Sequence, residues 1–566
     1  MRKKVILIAG YYGLELIGDE AILEAMLHDL TALDPDVSYI VTSQAPESTQ
    51  ATYSVRAIEL CNLKAVTDVI EECDLVIVGG GGVFNEYTPW RGDGLLTLRQ
   101  EFNVFCASLP LICAAYEKPC MIYAVGVEPL RSADAREQVA NAFALATVAT
   151  VRDQGSLSIL ASTGAPTEKV RVTADPAFDL PSTQCVPDDM LARLCVEAIR
   201  PILGVQLRHW WPSPDGLSID STPAPWEAEV AKALDEFLET HGGTLIFIPF
   251  QQQSQWSYSD DIPVFQRVTG MMRCESKGHM LRGPLRPIEV SQVLASCDLV
   301  LGMRFHSVVL SIKNCTPCVA ICYSLKVKTA MGRSGLDKFA LRLEGLTADQ
   351  LTKALEECYV NRGQIKDSLR IVSEEMKLLA FENARLALDL LHEHEGRPVV
   401  ASAFHQMAPG LIRRQTKLLM EKEVELERMN RLQDAVRQVT REAIYERQQF
   451  GVAEDLLRVL LGMQADSPEW HYLLAFCLQM QDKSTDEAFS HYRSALTGGF
   501  NEFWVRYNRG ALHLKMGNTE EARADLKRAC ELNPEHVGAR DLLHELSRSN
   551  VGAQPLRGSS DGPHTH

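Results

Sequence analysis

Short apolar runs alternate with amphipathic stretches through roughly the first two thirds of the chain. Val5–Ala9 precedes a helical pattern from about Asp19 to Leu33, and Val37–Val41 precedes a loop. Asp74–Val78 ends in four glycines, Cys120–Val125 ends in Gly126, and Val148–Arg152 follows. A polar, proline-bearing stretch, Ser182–Asp188, then interrupts the pattern, which restarts. Ile202–Leu207, a helix near Trp226–His241, Thr244–Pro249, a helix near Ile288–Ser296, Leu299–Gly302 and Pro317–Cys322 make up its second half. Continuous apolar runs suit strands buried on both faces, and the helices between them suit crossovers in a parallel sheet. The pattern predicts an α/β protein with two Rossmann-like domains, residues 1–185 and 186–395, facing a shared cleft.

The character of the chain changes after Pro398. Residues 396–450 read as a charged helical linker, in which Met429, Leu432, Val436, Val439 and Ala443 recur at the spacing of a seam for another helix. Leu478, Ala488 and Ala495 return as Leu512, Ala522 and Ala529, each offset by 34 residues. That period, with small residues where helices cross, resembles the tetratricopeptide repeat, so residues 451–548 are expected to form an all-α helical repeat domain. The Gly-, Ser- and Pro-rich tail, 549–566, is expected to be disordered.

Composition narrows the function classes. A length of 566 residues exceeds what one hydrophobic core organises. A net charge of -17 argues against nucleic acid and against anionic membrane surfaces, which both favour basic proteins. No apolar stretch is long enough to span a bilayer, and Val5–Ala9 is too short for a secretory signal. The 15 cysteines are scattered and odd in number, as expected of reduced thiols in a cytoplasmic protein. Cys315 and Cys318 lack the second pair a zinc site needs and read as small core residues.

Four stretches carry candidate chemistry. Gly10-Tyr11-Tyr12-Gly13 with Gly18-Asp19-Glu20 lies between the first strand and its helix, where glycines admit a ligand to the backbone. Asp19 and Glu20 would repel phosphate there, so sugar hydroxyls are the better match, although both residues also suit a helix N-terminus. Gly79–Gly82, followed by Asn85 and Glu86, has more glycines than a tight turn uses, which points to a ligand against the main chain. Arg208 ends the strand Gly204–Leu207, where a guanidinium can take a phosphate or carboxylate in bidentate fashion. Gly302-Met303-Arg304-Phe305-His306-Ser307 places Arg and His two apart at a helix start, an anion site with a proton donor beside it.

These four stretches, in this order, resemble the polysaccharide pyruvyl transferase family. Gly126, Val151-Arg152-Asp153, Asp175, Ile248-Pro249-Phe250 and Tyr323-Ser324-Leu325-Lys326-Val327 add to the match, which covers about residues 1–385. Leu16, Glu86 and Ser324 stand where members commonly carry Asn, Asp and Asp. The resemblance implies a GT-B-like pair of domains and transfer of pyruvyl from phosphoenolpyruvate to a sugar diol, as a ketal, with release of phosphate. Arg208, Gly302, Arg304, Phe305, His306, Ser307 and Tyr323 would bind the donor. Gly10, Tyr11, Tyr12, Gly13, Asp19, Gly80, Gly81, Gly82 and Asn85 would bind the acceptor, a sugar or polysaccharide precursor. His306 is the expected acid, Arg208 and Arg304 the anion clamp, and Glu86 or Asp19 the base. No cofactor and no metal are expected beyond phosphoenolpyruvate as co-substrate. The helical repeats are expected to bind a partner protein or a second copy of the chain. The alternatives are a nucleotide-sugar glycosyltransferase of the same build and a non-catalytic scaffold.

Overall fold

The apolar runs form the interior strands of two parallel sheets. The computed structural model describes residues 2–86, 90, 101–182, 187–194, 196–210, 224–252, 260–274, 278–393, 435–463 and 466–548. The first sheet contains β1 (Val5–Ala9), β2 (Ser38–Ser43), β3 (Arg56–Glu59), β4 (Leu75–Phe84), β5 (Cys120–Val127), β6 (Val148–Val151) and β7 (Val170–Val172), in the order β3-β2-β1-β4-β5-β6-β7. The second contains β8 (Ile202–Gln206), β9 (Thr244–Phe247), β10 (Gly278–Met280), β11 (Leu299–Gly302), β12 (Cys318–Cys322) and β13 (Ala340–Arg342), in the order β10-β9-β8-β11-β12-β13. Each order runs outward from the first strand on one side and then crosses to the other, which is the doubly wound Rossmann topology.

One correction concerns the glycines. The sequence predicts a strand that stops at Val78, but β4 continues through Gly79–Gly82 to Phe84. Its pairing with β5 shifts register between Gly81 and Phe84, so the run is a bulge within a strand rather than a turn after one.

The two domains share one hydrophobic core. Ile6, Ala21 and Met26 of the first belong to the same buried cluster as Leu203, Val308 and Leu351 of the second. The helix Arg362–Glu393 follows the second sheet in the chain, yet its end packs on the first domain through Asn383. The Asn383 side-chain oxygen accepts from the hydroxyls of Thr150 at 2.7 Å and Thr173 at 2.9 Å. Its amide nitrogen donates to the carbonyls of Ala380 at 3.0 Å and Ala174 at 3.3 Å.

A second compact unit, within residues 420–566, is built of helices. The pairs Pro468–Met480 with Thr485–Thr497, and Glu502–Lys515 with Thr519–Leu532, start 34 residues apart (502 − 468 and 519 − 485). The predicted crossing residues Leu478, Ala488, Ala495, Leu512, Ala522 and Ala529 are all buried. Asn508 donates to the Tyr472 hydroxyl at 2.9 Å and so ties one pair to the next. Of the expected linker seam, Ala443 is buried and Val439 half exposed. Met429, Leu432 and the tail 549–566 lie outside the described residues.

Asn383→Ala should lower the unfolding free energy by about 2–3 kcal/mol, because it strands buried hydroxyls and a carbonyl that no water reaches. Urea denaturation of the two proteins measures the difference.

Candidate active site

In a doubly wound sheet, ligands bind where the strand order reverses, because the loops leaving the two central strands diverge there. The reversal lies between β1 and β4 in the first sheet and between β8 and β11 in the second. The carboxyl-terminal parts of these four strands and the loops that follow them carry the four sequence motifs. Topology therefore brings Gly10–Asp19, the glycine run, Arg208 and Gly302–Ser307 to the carboxyl ends of two sheets within one unit.

On the first sheet, several predicted ligand residues serve the fold. Tyr12 is fully buried and its hydroxyl donates to Gly79 O at 2.6 Å. Tyr11 packs edge-on against Phe102. The Gly10 N–H donates to Thr42 Oγ1 at 3.2 Å. The Gly13 N–H donates at 2.7 Å to Glu20, whose other oxygen accepts from the Tyr53 hydroxyl at 2.8 Å. Asn85 donates to Gly82 O at 2.7 Å. Glu86 accepts from the backbone N–H groups of Arg131 and Ser132 ahead of the helix Ala133–Leu145. Those bonds outweigh its slight burial and hold its carboxyl below the usual range, so it is a weak base.

The glycine run has a packing role that the sequence reading did not assign. Gly80 and Gly81 hold φ of 82° and 83°, which disfavours any side chain. A Cβ on Gly80 would lie 2.1 Å from Ile22 Cγ2, and one on Gly81 2.6 Å from Asp19 Oδ1. The helix Ile17–Leu33 thus rests its first turns on the bulge. Gly82 instead faces Glu128 and Lys326, at 3.7 Å and 3.8 Å from the position of its absent Cβ.

On the second sheet, Arg208 donates to the Tyr323 hydroxyl at 3.4 Å and lies beside the Trp210 ring, 5.5 Å from its centroid. Arg304 is buried and turned toward Asp261, with Nη2 2.6 Å and Nε 3.0 Å from Oδ1. Its Nη2 also reaches Gln251 at 3.4 Å. Arg304 therefore carries a structural ion pair in addition to any ligand role. Ser307 is buried and donates to Arg304 O, while Gly302 leaves room for the Ser307 hydroxyl. The Phe305 ring lies 3.9 Å from the Arg152 guanidinium.

His306 is gripped by the first domain. Its Nε2 lies 3.4 Å from Asp175 Oδ2, and a Cβ on Gly18 would fall 2.0 Å from its Nδ1. Asp175 also accepts from Arg152 at 3.1 Å, and Lys326 pairs with Glu128 at 2.7 Å across the domains. The sequence reading gave no role to Arg152, Asp175, Glu128 or Lys326. Three of them lie in or near stretches it quoted, but the pairs are 23 and 198 residues apart, beyond any local pattern.

The electrostatics join these groups. Burial pushes the Asp19 carboxyl up to about 6, against the pull of His306 and Lys326. Burial also opposes the charge of Asp175, but His306 and Arg152 outweigh it and hold that carboxyl below its usual range. Burial works against the Tyr323 phenolate too, yet Lys326, Arg208 and Arg304 together hold the phenol below its ordinary value. Three cations thus act on the Tyr323 phenol, of which Arg208 touches it, and Lys326 also acts on Asp19. The arrangement suits a small polyanion beside a proton donor.

The polysaccharide pyruvyl transferase family model matches residues 17–324, which takes in these groups except Gly10–Gly13 and Lys326. The chain belongs to that family. A tetratricopeptide repeat model matches residues 503–536, the second helix pair. The amylovoran biosynthesis protein AmsJ of Erwinia amylovora is 24% identical over 321 residues, 56% of this chain and 73% of that protein. Among solved structures, a putative UDP-N-acetylglucosamine 2-epimerase from Listeria monocytogenes superposes with a TM-score of 0.48 at 14% identity, covering 71% of this chain and 100% of that one. A glycosyltransferase from Rickettsia africae does so at 0.46 and 11%, covering 69% and 99%. Among the described residues, no helix is long and apolar enough to cross a membrane.

Asp19 gives this candidate site a stability cost. Its carboxyl titrates near 3.8 when unfolded and about 6 when folded, so the folded protein holds the extra proton between those values. The cost of burying the charge is full above pH 6 and vanishes as pH falls toward 4. Asp19→Asn should stabilise the protein by about 2 kcal/mol at pH 7.5, with little gain at pH 4. Denaturant melts at the two pH values test this.

Proposed function

We propose that the chain transfers a pyruvyl group from phosphoenolpyruvate to two hydroxyls of a sugar in polysaccharide biosynthesis, releasing phosphate. The observation that supports this reading is Arg208, 3.4 Å from the Tyr323 hydroxyl, in a neighbourhood whose field Arg304 and Lys326 also feed, with His306 3.4 Å from Asp175. Phosphoenolpyruvate carries a carboxylate and a phosphate on one small frame, and cations fixed by neighbours lose little freedom in holding both.

His306 gives a proton to the methylene carbon, and the enol π pair forms the new C–H bond. The adjacent carbon becomes electrophilic and a sugar hydroxyl attacks it. The hydroxyl proton passes to a base, for which Asp19 is better disposed than Glu86, since Glu86 is engaged by two N–H groups. The second hydroxyl then attacks the same carbon as the C–O bond to phosphate breaks with its electron pair, its proton passes to the neutral imidazole of His306 and restores the acid, and a cyclic ketal remains. The repeat domain serves to bind a partner protein or a second copy, because stacked helix pairs offer extended surfaces for that purpose.

Phosphoenolpyruvate should raise the melting temperature more than phosphate or pyruvate does, with a gain of about 2.7 kcal/mol at a hundred times its Kd. A response to a nucleotide sugar, with none to phosphoenolpyruvate, would favour glycosyl transfer instead.

His306→Gln should leave the fold intact and reduce turnover roughly a hundredfold to ten-thousandfold with any acceptor the wild type pyruvylates. Near-normal turnover in that variant would remove His306 from the acid's role.

A further inference from the structure

Three of the four glycines in β4 are required by the fold. Gly79, Gly80 and Gly81 hold φ of 150°, 82° and 83°, and a Cβ on them would collide with Tyr123 O, Ile22 Cγ2 and Asp19 Oδ1 respectively. Gly82 is different. It does not share the positive φ of its neighbours, so other residues can adopt its conformation. A Cβ there would meet nothing closer than 3.7 Å, an ordinary van der Waals contact. Neither backbone nor packing asks for glycine at this position, and a glycine inside a strand weakens it.

Gly82 is also the only residue of β4 that is not buried. The face it leaves bare is bounded by two charged groups, Glu128 Oε1 at 3.7 Å and Lys326 Nζ at 3.8 Å from the Cβ position. These two atoms are 2.7 Å apart and come from opposite domains. Glu128 directly follows β5, and Lys326 lies in the first turn of the helix Leu325–Arg333. Asn85 Nδ2 donates to Gly82 O at 2.7 Å and pins the bulge beneath them. An ammonium gives hydrogens and a carboxylate takes them, and one mutual bond uses only part of either group's capacity. Hydroxyls match such a pair, because each can donate to Glu128 or accept from Lys326. A phosphate or carboxylate at the same place would be repelled by Glu128. The bare main chain beside the pair admits the C–H face of a sugar ring.

We infer that Gly82, Glu128 and Lys326 form the subsite for the acceptor sugar, with neighbouring ring hydroxyls on the two charged groups and the ring against the Gly82 main chain. The sugar's role as pyruvyl acceptor rests on the function proposed above, whereas the subsite rests on the bare face and the charges that bound it. Glycine stands at position 82 for the ligand and not for the strand.

The test is Gly82→Ala in the full chain. Without ligand, its urea midpoint should equal or exceed that of the wild type, and a lower one overturns the inference by showing that the glycine is structural. The saccharide probes are D-glucose, D-galactose and D-mannose, whose rings between them present neighbouring hydroxyls in both equatorial pairs and mixed axial–equatorial pairs. Saturation-transfer NMR should show at least one of them on the wild type, with a Kd weaker by roughly tenfold or more in Gly82→Ala. No contact from any of the three on the wild type overturns the inference, and so does equal affinity in the variant. Phosphoenolpyruvate in a thermal-shift titration separates the two claims. Sugar binding that depends on Gly82, with no response to phosphoenolpyruvate, keeps the sugar subsite and removes pyruvyl transfer, whereas a response to phosphoenolpyruvate without sugar binding removes the subsite alone.

Discussion

The amino end of the helix Ile17–Leu33 must touch two surfaces at once. It lies against the bulge of β4 on one side and the imidazole of His306 on the other, and both approaches are closer than a side chain permits. Gly80 and Gly81 open the first contact and Gly18 the second. The backbone link from the Ile17 N–H to Phe250 O, 2.9 Å, fastens the same helix end to the second domain. Because the domains also share a buried core, this junction fixes the cleft, and with it the relation of His306 to Asp175 and of Lys326 to Glu128. A methyl group at position 18 would have to displace His306 or the helix, so the local sequence there is dictated by a residue nearly 300 positions away.

The sequence was legible where one face of the physics dominates. The interior strands announce themselves because both their faces are buried, and continuous apolar runs result. The four strands that the sequence reading did not name, β3, β7, β10 and β13, are the four sheet edges. They are three or four residues long and have no fully buried position, so neither alternation nor an apolar run marks them. The glycine run marks the end of an apolar run, yet the strand continues through it, since a bulge under a helix and a turn after a strand require the same absence of side chains. The helical repeat was legible because its period is a property of one stretch of chain.

The site was legible in its members more than in its pairings. Arg208, Arg304 and His306 stand out because strand ends at a switch point are where ligands bind, and Tyr323 enters through the family resemblance. What each one bonds to is a tertiary fact. Tyr12 and Ser307 share a motif with residues that line the cleft, yet both hydroxyls are bonded to backbone carbonyls in the interior. Arg304 looks like a ligand cation, but much of its hydrogen-bonding capacity goes to Asp261, a residue 43 positions earlier in the chain. Sequence spacing conveys that a charge is present and does not convey what already balances it.

That balance bears on how such a site treats an anion. Arg152 faces Asp175, Arg304 faces Asp261 and Lys326 faces Glu128, so each of these cations is held by a carboxylate from another element. Rigid pairs of this kind give up some attraction for a ligand but fix where its charges must sit, which favours discrimination by shape and charge spacing over sheer affinity. Asp19 adds the adjustable element. Its carboxyl, at about 6, lies close enough to neutrality to change charge within the working range of a protein. A neutral Asp19 removes repulsion toward an incoming polyanion, and an ionised one can accept the proton that a hydroxyl loses on attack. Partial burial supplies both states in one side chain, and the carboxyl can take that position because Gly81 beneath it carries no side chain.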